Sequence, residues 1–496
     1  MLVQSINRNN TLRFAVKVFS SSASDTSHVQ SLVTHEEGVH QTMKISKSWR
    51  NKPLFRRQGD VRFKTGLEAA KLLVGEAMRR DAHEEQFINS VKSTMECLSP
   101  IFDRNPSYAF IAKQLVEAER YIQFRVAWVD DTGVVRMNRG FRIQYSSSLG
   151  PYEGALHLGA HVNSDCVKAL GFDTIFSNAL TGYDLGASVG GSDFNPLDKS
   201  EAEMQRFCQS YMTELAKYVG PGIDSPWMGT GVGEKELGYL FGQYKRINLK
   251  STSVGCPFLS FTNPAFFKAP GFTVVHFANQ VLKDRGETLQ GKRCLIMGSG
   301  RVALSVAEKL LDYGAIPLTF SDTSGHVYEP DGINQGRLKA IDKIKSERGA
   351  LLGRYIISST SAQFNDPQDI LEIPCDLCFP CGTMNAINED AANKLADNGC
   401  LGIIEGGSCV TPEARVVLRK RGLAYAPHTM TMTGPAIVHA LGQDITDEML
   451  QEEVSRVYGS VRKTAQEFNV RGDLFAGANI YGFLRVANAM MRHGAV

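Results

Sequence analysis

A short glycine-rich segment in the middle of the chain constrains the fold more than any other feature of the sequence. Apolar residues from Lys292 to Met297 predict a strand, and Gly298-Ser299-Gly300-Arg301-Val302-Ala303 then opens a helical pattern that ends at Gly314. In this spacing the first glycine permits a tight turn, the second lets the backbone approach a ligand, and the small third residue lets the helix pack against a sheet. The free N–H groups of a helix that begins here would face an anion. The segment therefore predicts a parallel α/β domain with a phosphate site.

The residues after this helix extend the prediction to a dinucleotide. Residues 316–320 predict the next strand, which closes with Ser321 and Asp322. An acidic residue about twenty positions beyond the glycines can reach a ribose hydroxyl, which is typical of a Rossmann dinucleotide-binding domain. Arg301 adds positive charge at the phosphate end, where it either helps to bind a phosphate or lies on the surface. The pattern is stronger evidence for the fold than for binding, because a lineage can lose a ligand and keep the turn.

The rest of the chain alternates between helical and strand patterns. Apolar residues alternate with polar ones from Ile122 to Trp128, which predicts a strand with one face against a core. The turn signal Asp130-Asp131-Thr132-Gly133 separates it from a second strand over residues 134–145, so the two form a hairpin. Thr411-Pro412-Glu413 opens a helix with a capping threonine and a proline in its first turn. The other predicted elements are a helix beginning at Glu84, helices over residues 108–118, 165–179, 200–218, 233–246, 447–468 and 476–491, and strands at residues 354–358, 377–379 and 402–404.

Composition places the chain among globular proteins and excludes several functional classes. Its 496 residues are enough for more than one domain, each with a large core. Hydrophobic residues make up 43% and charged residues 21%, and the net charge of +2 gives no field that would indicate nucleic acid or an anionic membrane. The sequence has no apolar run as long as a membrane span. Ten cysteines in a chain of this length are too sparse for a secreted disulfide scaffold.

The first residues differ in composition from the rest. Residues 1–24 contain Arg8, Arg13 and Lys17, no acidic residue, and a serine-rich end. Such a segment is typical of an organellar transit peptide, and an ordinary disordered tail is the alternative. We expect residues 1–30 to direct import into the mitochondrial matrix. The remaining predicted segments are an N-terminal extension at 31–83, a first α/β domain at 84–247, the Rossmann domain at 248–440, and C-terminal helices at 441–496 that return to the first domain.

Four stretches of the chain are similar to a known family. They are Ile-Gln-Phe-Arg-Val at 122–126, Gly-Gly-Ser-Asp-Phe at 190–194, Gly-Tyr-Leu-Phe-Gly-Gln-Tyr-Lys-Arg at 238–246 and Gly-Ala-Asn-Ile-Tyr-Gly-Phe at 477–483. From about residue 84 onward the chain resembles the hexameric NADP-type glutamate dehydrogenases, among the glutamate, leucine, phenylalanine and valine dehydrogenases. The resemblance implies a two-domain α/β amino-acid dehydrogenase fold: a mixed substrate and oligomerisation domain, a Rossmann domain, and C-terminal helices that pack back. It also implies an NAD(P) cofactor and a homo-oligomer.

The resemblance implies a site that this sequence does not reproduce. Glutamate carries two carboxylates, so the family's pocket needs cations or strong donors for both, and a lysine and an aspartate move protons. The lysine expected in the Gly-Pro-Tyr-Lys-Gly-Gly loop is Glu153 here, and the arginine a little further on is His157. The lysine before Asn178 is Ser177. The catalytic lysine of the Gly-Gly-Gly-Lys-Gly-Gly-Ser-Asp-Phe loop is Val189, which cannot carry a proton.

The remaining positions of the implied site are replaced as well. The catalytic aspartate of an Ala-Gly-Asp segment falls at Gly229, and the serine that helps to hold the side-chain carboxylate falls at His439. An arginine and a threonine before the cofactor domain fall at Phe266 and Pro270. We therefore predict no catalytic residues. The degenerate positions are Glu153, Ser177, Val189, Gly229 and His439.

The cofactor half of the resemblance is better preserved. Pro380-Cys381-Gly382-Thr383-Met384-Asn385 is similar to the family's nicotinamide-side loop, and Glu405-Gly406-Gly407-Ser408 is similar to another loop, with serine in place of asparagine. The sequence leaves open whether NAD(P) is bound and which form is preferred. The predicted cofactor-binding residues are Gly298, Ser299, Gly300, Arg301, Val302, Ser321, Asp322, Cys381, Gly382, Thr383 and Asn385.

Other residues near these motifs have structural interpretations beside functional ones. Cys375, Cys378 and Cys381 have a metal-like spacing, but the resembling family has cysteines near the first and third positions without a metal, so we predict none. His157 and His161 lie among glycines and a proline, which favours a loop and packing or solvent contact over ligation.

The carboxylates that survive near the replaced site are Asp193 and Asp224. We expect them to have structural hydrogen-bonding roles, with no basic partner beside them. Trp227 and Met228 bring bulk where the family has small residues, and we expect them to fill the vacated pocket.

Three functions compete on this sequence. The first is a catalytically inactive relative that serves as a structural or regulatory subunit of a mitochondrial assembly. The second is an NAD(P)-dependent oxidoreductase on another amino compound, since Glu153 and His439 suit a cationic or neutral substrate better than glutamate. The third is an ordinary glutamate dehydrogenase with rearranged catalytic groups.

Overall fold

The computed structural model describes residues 63–248, 264–382, 384–442 and 445–494. The predicted targeting segment at residues 1–30 and the loop residue Thr383 lie outside the described residues, so both predictions stand untested. The described chain contains two five-stranded sheets, one in each domain, and a smaller three-stranded sheet. The two-domain α/β fold expected from the sequence is confirmed.

The first domain is built on a mixed sheet with the strand order β1-β2-β4-β3-β5. Its strands are β1 (Arg120–Val129), β2 (Val135–Ser146), β3 (Tyr152–Leu158), β4 (Ala187–Ser192) and β5 (Asp224–Trp227), and its helices are α1 (Gly66–Arg80), α2 (Glu85–Arg104), α3 (Ser107–Leu115), α4 (Ser164–Leu180), α5 (Glu201–Leu215) and α6 (Glu234–Ile247). β1 and β2 form the predicted antiparallel hairpin, whereas β3 runs parallel to β4 and β5. The parallel strands bring the replaced positions of β3 and β4 side by side.

Helices cover both faces of this sheet. α4 packs on one face together with α2, and α5 and α6 pack on the other. Asn163 caps α4 by accepting the Cys166 N–H, and Ser200 forms a capping box with Glu203 at the start of α5. α1 lies in the segment that the sequence left without a motif, and its buried residues join the apolar core beside α2.

The second domain is built on a parallel sheet with the strand order β13-β12-β11-β6-β7. Its elements are α7 (Pro264–Lys283), β6 (Arg293–Met297), α8 (Arg301–Asp312), β7 (Ile316–Pro317), β8 (Thr319–Asp322), β9 (Gly325–Tyr328), α9 (Gln335–Ser346), β10 (Gln363–Asn365), β11 (Leu377–Pro380), α10 (Glu389–Asp397), β12 (Gly402–Ile404), α11 (Pro412–Arg421), β13 (Ala424–Ala426), α12 (His428–Thr431) and α13 (Thr433–Leu441). β8, β9 and β10 form the small antiparallel sheet. Thr411 caps α11 by accepting the Ala414 N–H, as its sequence predicts.

The chain ends in α14 (Asp447–Glu467) and α15 (Leu474–His493). α15 packs against α4 and α2 of the first domain. Phe483 makes edge-to-face contacts with Phe102 at 6.2 Å and Tyr108 at 5.9 Å between ring centroids. The expected return of the C-terminal helices is confirmed. Among the described helices, none is both long and apolar enough to cross a membrane.

Two predicted strands differ in the structure. Residues 354–358 do not form a strand but belong to the 3₁₀ helix Leu352–Ser358, because Leu352 and Tyr355, three residues apart, are the buried positions, whereas Ile357 is 90% exposed. The strand predicted at 316–320 is divided at Leu318 into β7 and β8, which pair with different neighbours. Pro317 has no N–H to donate, which weakens a continuous ladder at this point.

Candidate active site and dinucleotide loop

Glu153 and His439 contact each other in the structure. Glu153 lies on β3 and is 4% exposed, and its Oε1 is 3.1 Å from Nε2 of His439 near the end of α13. The other carboxylate oxygen, Oε2, is buried without a hydrogen-bond partner. The site thus holds an acid and a base that face each other, where the resembling family has a lysine and a serine.

Burial and pairing set the charge of these two groups. Burial raises the pKa of the Glu153 carboxyl, and the hydrogen bond from His439 opposes that effect only in part. Burial also opposes the charge on His439, but the hydrogen bond and charge of Glu153 outweigh it and raise the pKa of His439. Glu153 already occupies Nε2 of His439, so this imidazole is not free to hold a carboxylate.

Val189 and Ser177 lie where the resemblance places two lysines. Val189 lies on β4 opposite Ile143 of β2, is 2% exposed, and belongs to the apolar core beneath α4. Ser177 lies on α4 and donates its hydroxyl to the carbonyl of Asp173 at 3.3 Å. An ammonium group at position 189 would lose its water among apolar neighbours.

Gly229 leaves no room for the carboxylate expected at its position. A Cβ atom there would lie 2.3 Å from the Leu156 carbonyl oxygen and 3.0 Å from the His157 ring. His157 lies in β3 and not in the loop expected from the sequence. Its Nδ1 accepts the Thr230 N–H at 3.2 Å, and burial lowers its pKa to about 4, so the ring is neutral.

Two aromatic side chains, Trp227 and Phe266, lie between the domains next to the Glu153–His439 pair. The Trp227 ring is 5.7 Å from the His439 ring and 6.3 Å from the Phe266 ring. Met228, the next residue, is buried as well. Trp227 thus places an aromatic ring against His439, and Phe266 packs behind that ring.

Asp224 has a basic partner, contrary to the expectation from the sequence. Nε of Arg142 donates to Asp224 Oδ2 at 3.0 Å, and both side chains are fully buried. Gln144 and Ser188 donate to the same carboxylate at 3.0 Å each. Asp193 instead accepts the Asn138 amide at 2.9 Å. Sequence analysis missed Arg142 because its partner lies on a distant strand.

The predicted glycine-rich loop follows β6. Gly298 adopts φ +110°, and a Cβ atom there would lie 2.8 Å from the Cys381 carbonyl oxygen. Its N–H donates to Ser321 Oγ at 2.8 Å, which joins the loop to the end of β8. Gly300 caps α8 with no neighbouring atom where its Cβ would lie. The turn therefore has the open helix N-terminus that a pyrophosphate requires.

The side chains on either side of this turn are already engaged with the protein. Arg301 lies over the Phe267 ring at 5.2 Å. Asp322 accepts the Ser324 N–H at 2.9 Å and the Leu352 N–H at 2.8 Å, and Lys345 Nζ is 3.3 Å from it. Burial opposes the charge of Asp322, but these donors outweigh it and lower its pKa. Lys345, which the sequence analysis did not single out, puts a cation at the ribose end.

The second predicted cofactor segment follows β11. Cys381 donates its N–H to the Met297 carbonyl at 2.7 Å, which holds this loop against the glycine turn. Asn385 is exposed with φ +57°, and its N–H donates to Ser408 at 3.1 Å. Gly298, Cys381 and Gly382 are thus brought together, as the prediction requires.

The three spaced cysteines do not converge. The Cys375 thiol lies beside Cys400, which precedes β12 by two residues, and Cys378 Sγ lies 3.9 Å from Met297 Sδ. Cys381 lies beside Gly406. Within the described ranges, no three His, Cys, Asp or Glu side chains are grouped as a metal would need.

Comparisons with known proteins cover most of the chain. Residues 118–246 match the Glu/Leu/Phe/Val dehydrogenase dimerisation domain, and residues 267–494 match the Glutamate/Leucine/Phenylalanine/Valine dehydrogenase domain. The chain is 41% identical to the NADP-specific glutamate dehydrogenase of Chlorella sorokiniana over 86% of this chain and 84% of that one. It is 34% identical to the Escherichia coli NADP-specific glutamate dehydrogenase, over 84% and 97%. The crystal structure of Plasmodium falciparum glutamate dehydrogenase superposes with a TM-score of 0.82 at 34% identity, over 91% of this chain and all of that one.

Proposed function

The chain belongs to the Glu/Leu/Phe/Val dehydrogenase family, and we propose that within this family it has lost glutamate turnover and acts as a structural or regulatory subunit in the mitochondrial matrix. Its fold is that of an NAD(P)-dependent glutamate dehydrogenase. The matched relatives are named as glutamate dehydrogenases, so the proposal rests on what differs in this chain.

The Glu153–His439 pair is the observation that carries the proposal. A dicarboxylate needs unpaired cations in the pocket, and here a buried carboxylate occupies the place of one. An anion that entered beside Glu153 would be repelled in a desolvated environment. Val189 places a buried apolar side chain where the resemblance implies a proton-transfer group.

The number of replacements also argues against turnover. Loss of one general acid or base lowers a rate by about 10² to 10⁴. Val189 and Gly229 replace both groups that the family uses for proton transfer, and Gly229 leaves no space in which a carboxylate could be restored by a side-chain change alone.

Binding of NADP(H) is supported by the glycine turn. The cradle between Gly298 and Cys381 would be filled by any Cβ atom, and the N-terminus of α8 is open, so both fit a pyrophosphate. When bound, the nicotinamide would supply a hydride acceptor or donor. Lys345 beside Asp322 favours a ribose 2′-phosphate, since Asp322 already accepts several hydrogen bonds.

An oligomer is supported by the matched dimerisation domain. We propose that the chain has kept its oligomerisation surface while it lost the catalytic groups. It would then assemble with itself or with a larger mitochondrial particle. The predicted transit segment supports the location and awaits a localisation experiment.

Turnover and binding are tested together with purified protein. We expect no glutamate oxidation or reductive amination with either nicotinamide cofactor between acidic and alkaline pH, while NADPH raises the melting temperature. The E. coli enzyme assayed in parallel is the positive control. Measurable glutamate turnover at any pH would refute the loss of activity, and an unchanged melting temperature would refute nucleotide binding.

A second candidate is an NAD(P)-dependent oxidoreductase on an amino compound other than glutamate. The unpartnered Oε2 of Glu153 favours it, because a buried carboxylate oxygen attracts a cationic or donating group. NADP⁺ reduction with neutral and cationic amino acids, measured on the wild-type chain and on Glu153→Gln, tests this candidate. Reduction that depends on Glu153 would favour it over the inactive subunit.

A further inference from the structure

Two of the replaced positions lie in contact across the boundary between the domains. Glu153 lies on β3 of the first domain, and His439 lies in the last turn of α13 of the second domain. The carboxylate and the imidazole are 3.1 Å apart. Neither replacement alone would form this pair. Their charges are complementary, so the two changes together create an attraction that joins the domains.

Other ion pairs join the same two domains. His428 of α12 lies 3.3 Å from Asp173 of α4, and Arg348 lies 2.9 Å from Glu236 of α6. The domains are therefore held at more than one point along their boundary. The first pair differs from these because it lies where the family's substrate carboxylate is implied to bind.

In the resembling family, the carboxylate at the position of Glu153 is implied to belong to the bound substrate and not to the protein. In a dehydrogenase that binds its substrate between two domains, the substrate's charges attract groups from both sides. Glu153 supplies such a charge from the protein itself, and His439 supplies its partner. Trp227 covers the pair with an aromatic ring at 5.7 Å from His439. The contact is thus electrostatic, and its carboxylate side is shielded from water.

We propose that Glu153 and His439 form a latch that holds the two domains together without any substrate. The latch takes the place of a bound dicarboxylate, so the domain boundary is closed in the resting protein. A permanently closed boundary presents one fixed surface to a partner, whereas an enzyme must open to exchange substrate and product. The latch is a property of the resting chain and requires neither NADP(H) nor glutamate.

Hydrogen exchange on the full chain tests the latch. Glu153→Gln keeps the shape of the side chain and removes its charge. We expect it to speed amide exchange in α13, on the other side of the boundary, by about tenfold or more, because breaking a buried pair leaves an uncompensated group. His439→Gln should do the same in β3. The double variant should exchange no faster than either single variant, since both remove one interaction.

The control is an exposed ion pair inside the first domain. Lys113→Gln removes the contact with Glu76 at 2.8 Å and should leave α13 unchanged. Small-angle scattering of the same proteins should show a larger radius of gyration for the latch variants only. Exchange that changes only in the element carrying the substitution, or an unchanged α13 in Glu153→Gln, overturns the latch. If a variant unfolds, the exchanged pair Glu153→His with His439→Glu provides the test, since it should return exchange in α13 towards the wild-type rate.

Discussion

Glu153 and Asp224 are both buried carboxylates of the first sheet, yet their surroundings are opposite. Asp224 accepts hydrogen bonds from Arg142, Gln144 and Ser188. Glu153 has His439 at one oxygen and no partner at the other. For these two residues, the difference separates a carboxylate that holds the sheet together from one that contacts a helix of the second domain.

Asp224→Asn should destabilise the chain strongly. It leaves the Arg142 guanidinium fully buried beside a neutral amide, and breaking a buried pair in this way costs about 3–5 kcal/mol. Urea unfolding measures the change. Asp184→Asn is the matched control, because this carboxylate is exposed beside Arg485, and it should leave the midpoint unchanged. Equal midpoints for the two variants would contradict a structural role for Asp224.

His428 should make the free energy of unfolding decrease as the pH rises into the alkaline range. Burial opposes its charge, but Asp173 and Glu405 outweigh burial and raise its pKa from 6.5 to about 10. Between these values the folded chain holds a proton that the unfolded chain has released, so stability should fall as the pH rises from 6.5 towards 10. Unfolding at a series of pH values should show this decline, and His428→Gln should flatten it. If His428→Gln shows the same decline in stability with rising pH, another titrating group is responsible for it.

Lys345→Gln should reduce the preference for NADPH over NADH. A charge-assisted hydrogen bond to the 2′-phosphate contributes about 1.5–3 kcal/mol, so the NADPH dissociation constant should rise about tenfold or more. The NADH constant should change little, because NADH lacks that phosphate. Titration of both nucleotides by fluorescence checks the ratio. If the affinities for NADPH and NADH weaken to the same extent, Lys345 does not contact the ribose 2′-phosphate.

At the scale of the element, close strand packing explains what sequence patterns could and could not predict. The hairpin of β1 and β2 follows from alternating apolar residues, and it was predicted. β3 and β4 were described as loops because they contain glycines. Those glycines lie where strands approach closely: a Cβ at Gly154 would lie 1.5 Å from the Ser188 carbonyl oxygen. Periodicity does not record such approaches, so these strands were missed.

Gly154→Ala should disrupt the first sheet. Its Cβ would displace the Ser188 backbone, and the change separates β3 from β4. We expect a large loss of melting temperature or insoluble protein. Gly459→Ala in α14 is the matched control, since its Cβ meets nothing within 4 Å, and replacing a helical glycine stabilises by about 0.5–1 kcal/mol. Comparable melting temperatures for the two variants would show that the Ser188 backbone can move away from a Cβ at position 154 at little cost in stability.

For the whole molecule, a subunit role requires that the chain be part of a larger assembly. The tagged endogenous protein, extracted gently from mitochondria and separated by native size, is expected to migrate with a particle much larger than its own oligomer. The partner surface would then be identified by the proteins that migrate with it. Migration as a lone homo-oligomer would contradict the subunit role and favour an unknown substrate. If the tagged protein is not found in mitochondria, the predicted mitochondrial localisation is wrong.

Local patterns and residue identity were enough to predict the α/β class and the glycine turn, and to propose that the family's charged residues are replaced. The tertiary structure decided how the replaced positions relate. Glu153 and His439 lie far apart along the chain, and only the packing of α13 against the first domain makes them partners. Packing likewise gave Asp224 its arginine. Long-range pairs of this kind leave no period in a single sequence, since each residue type there is compatible with many surroundings.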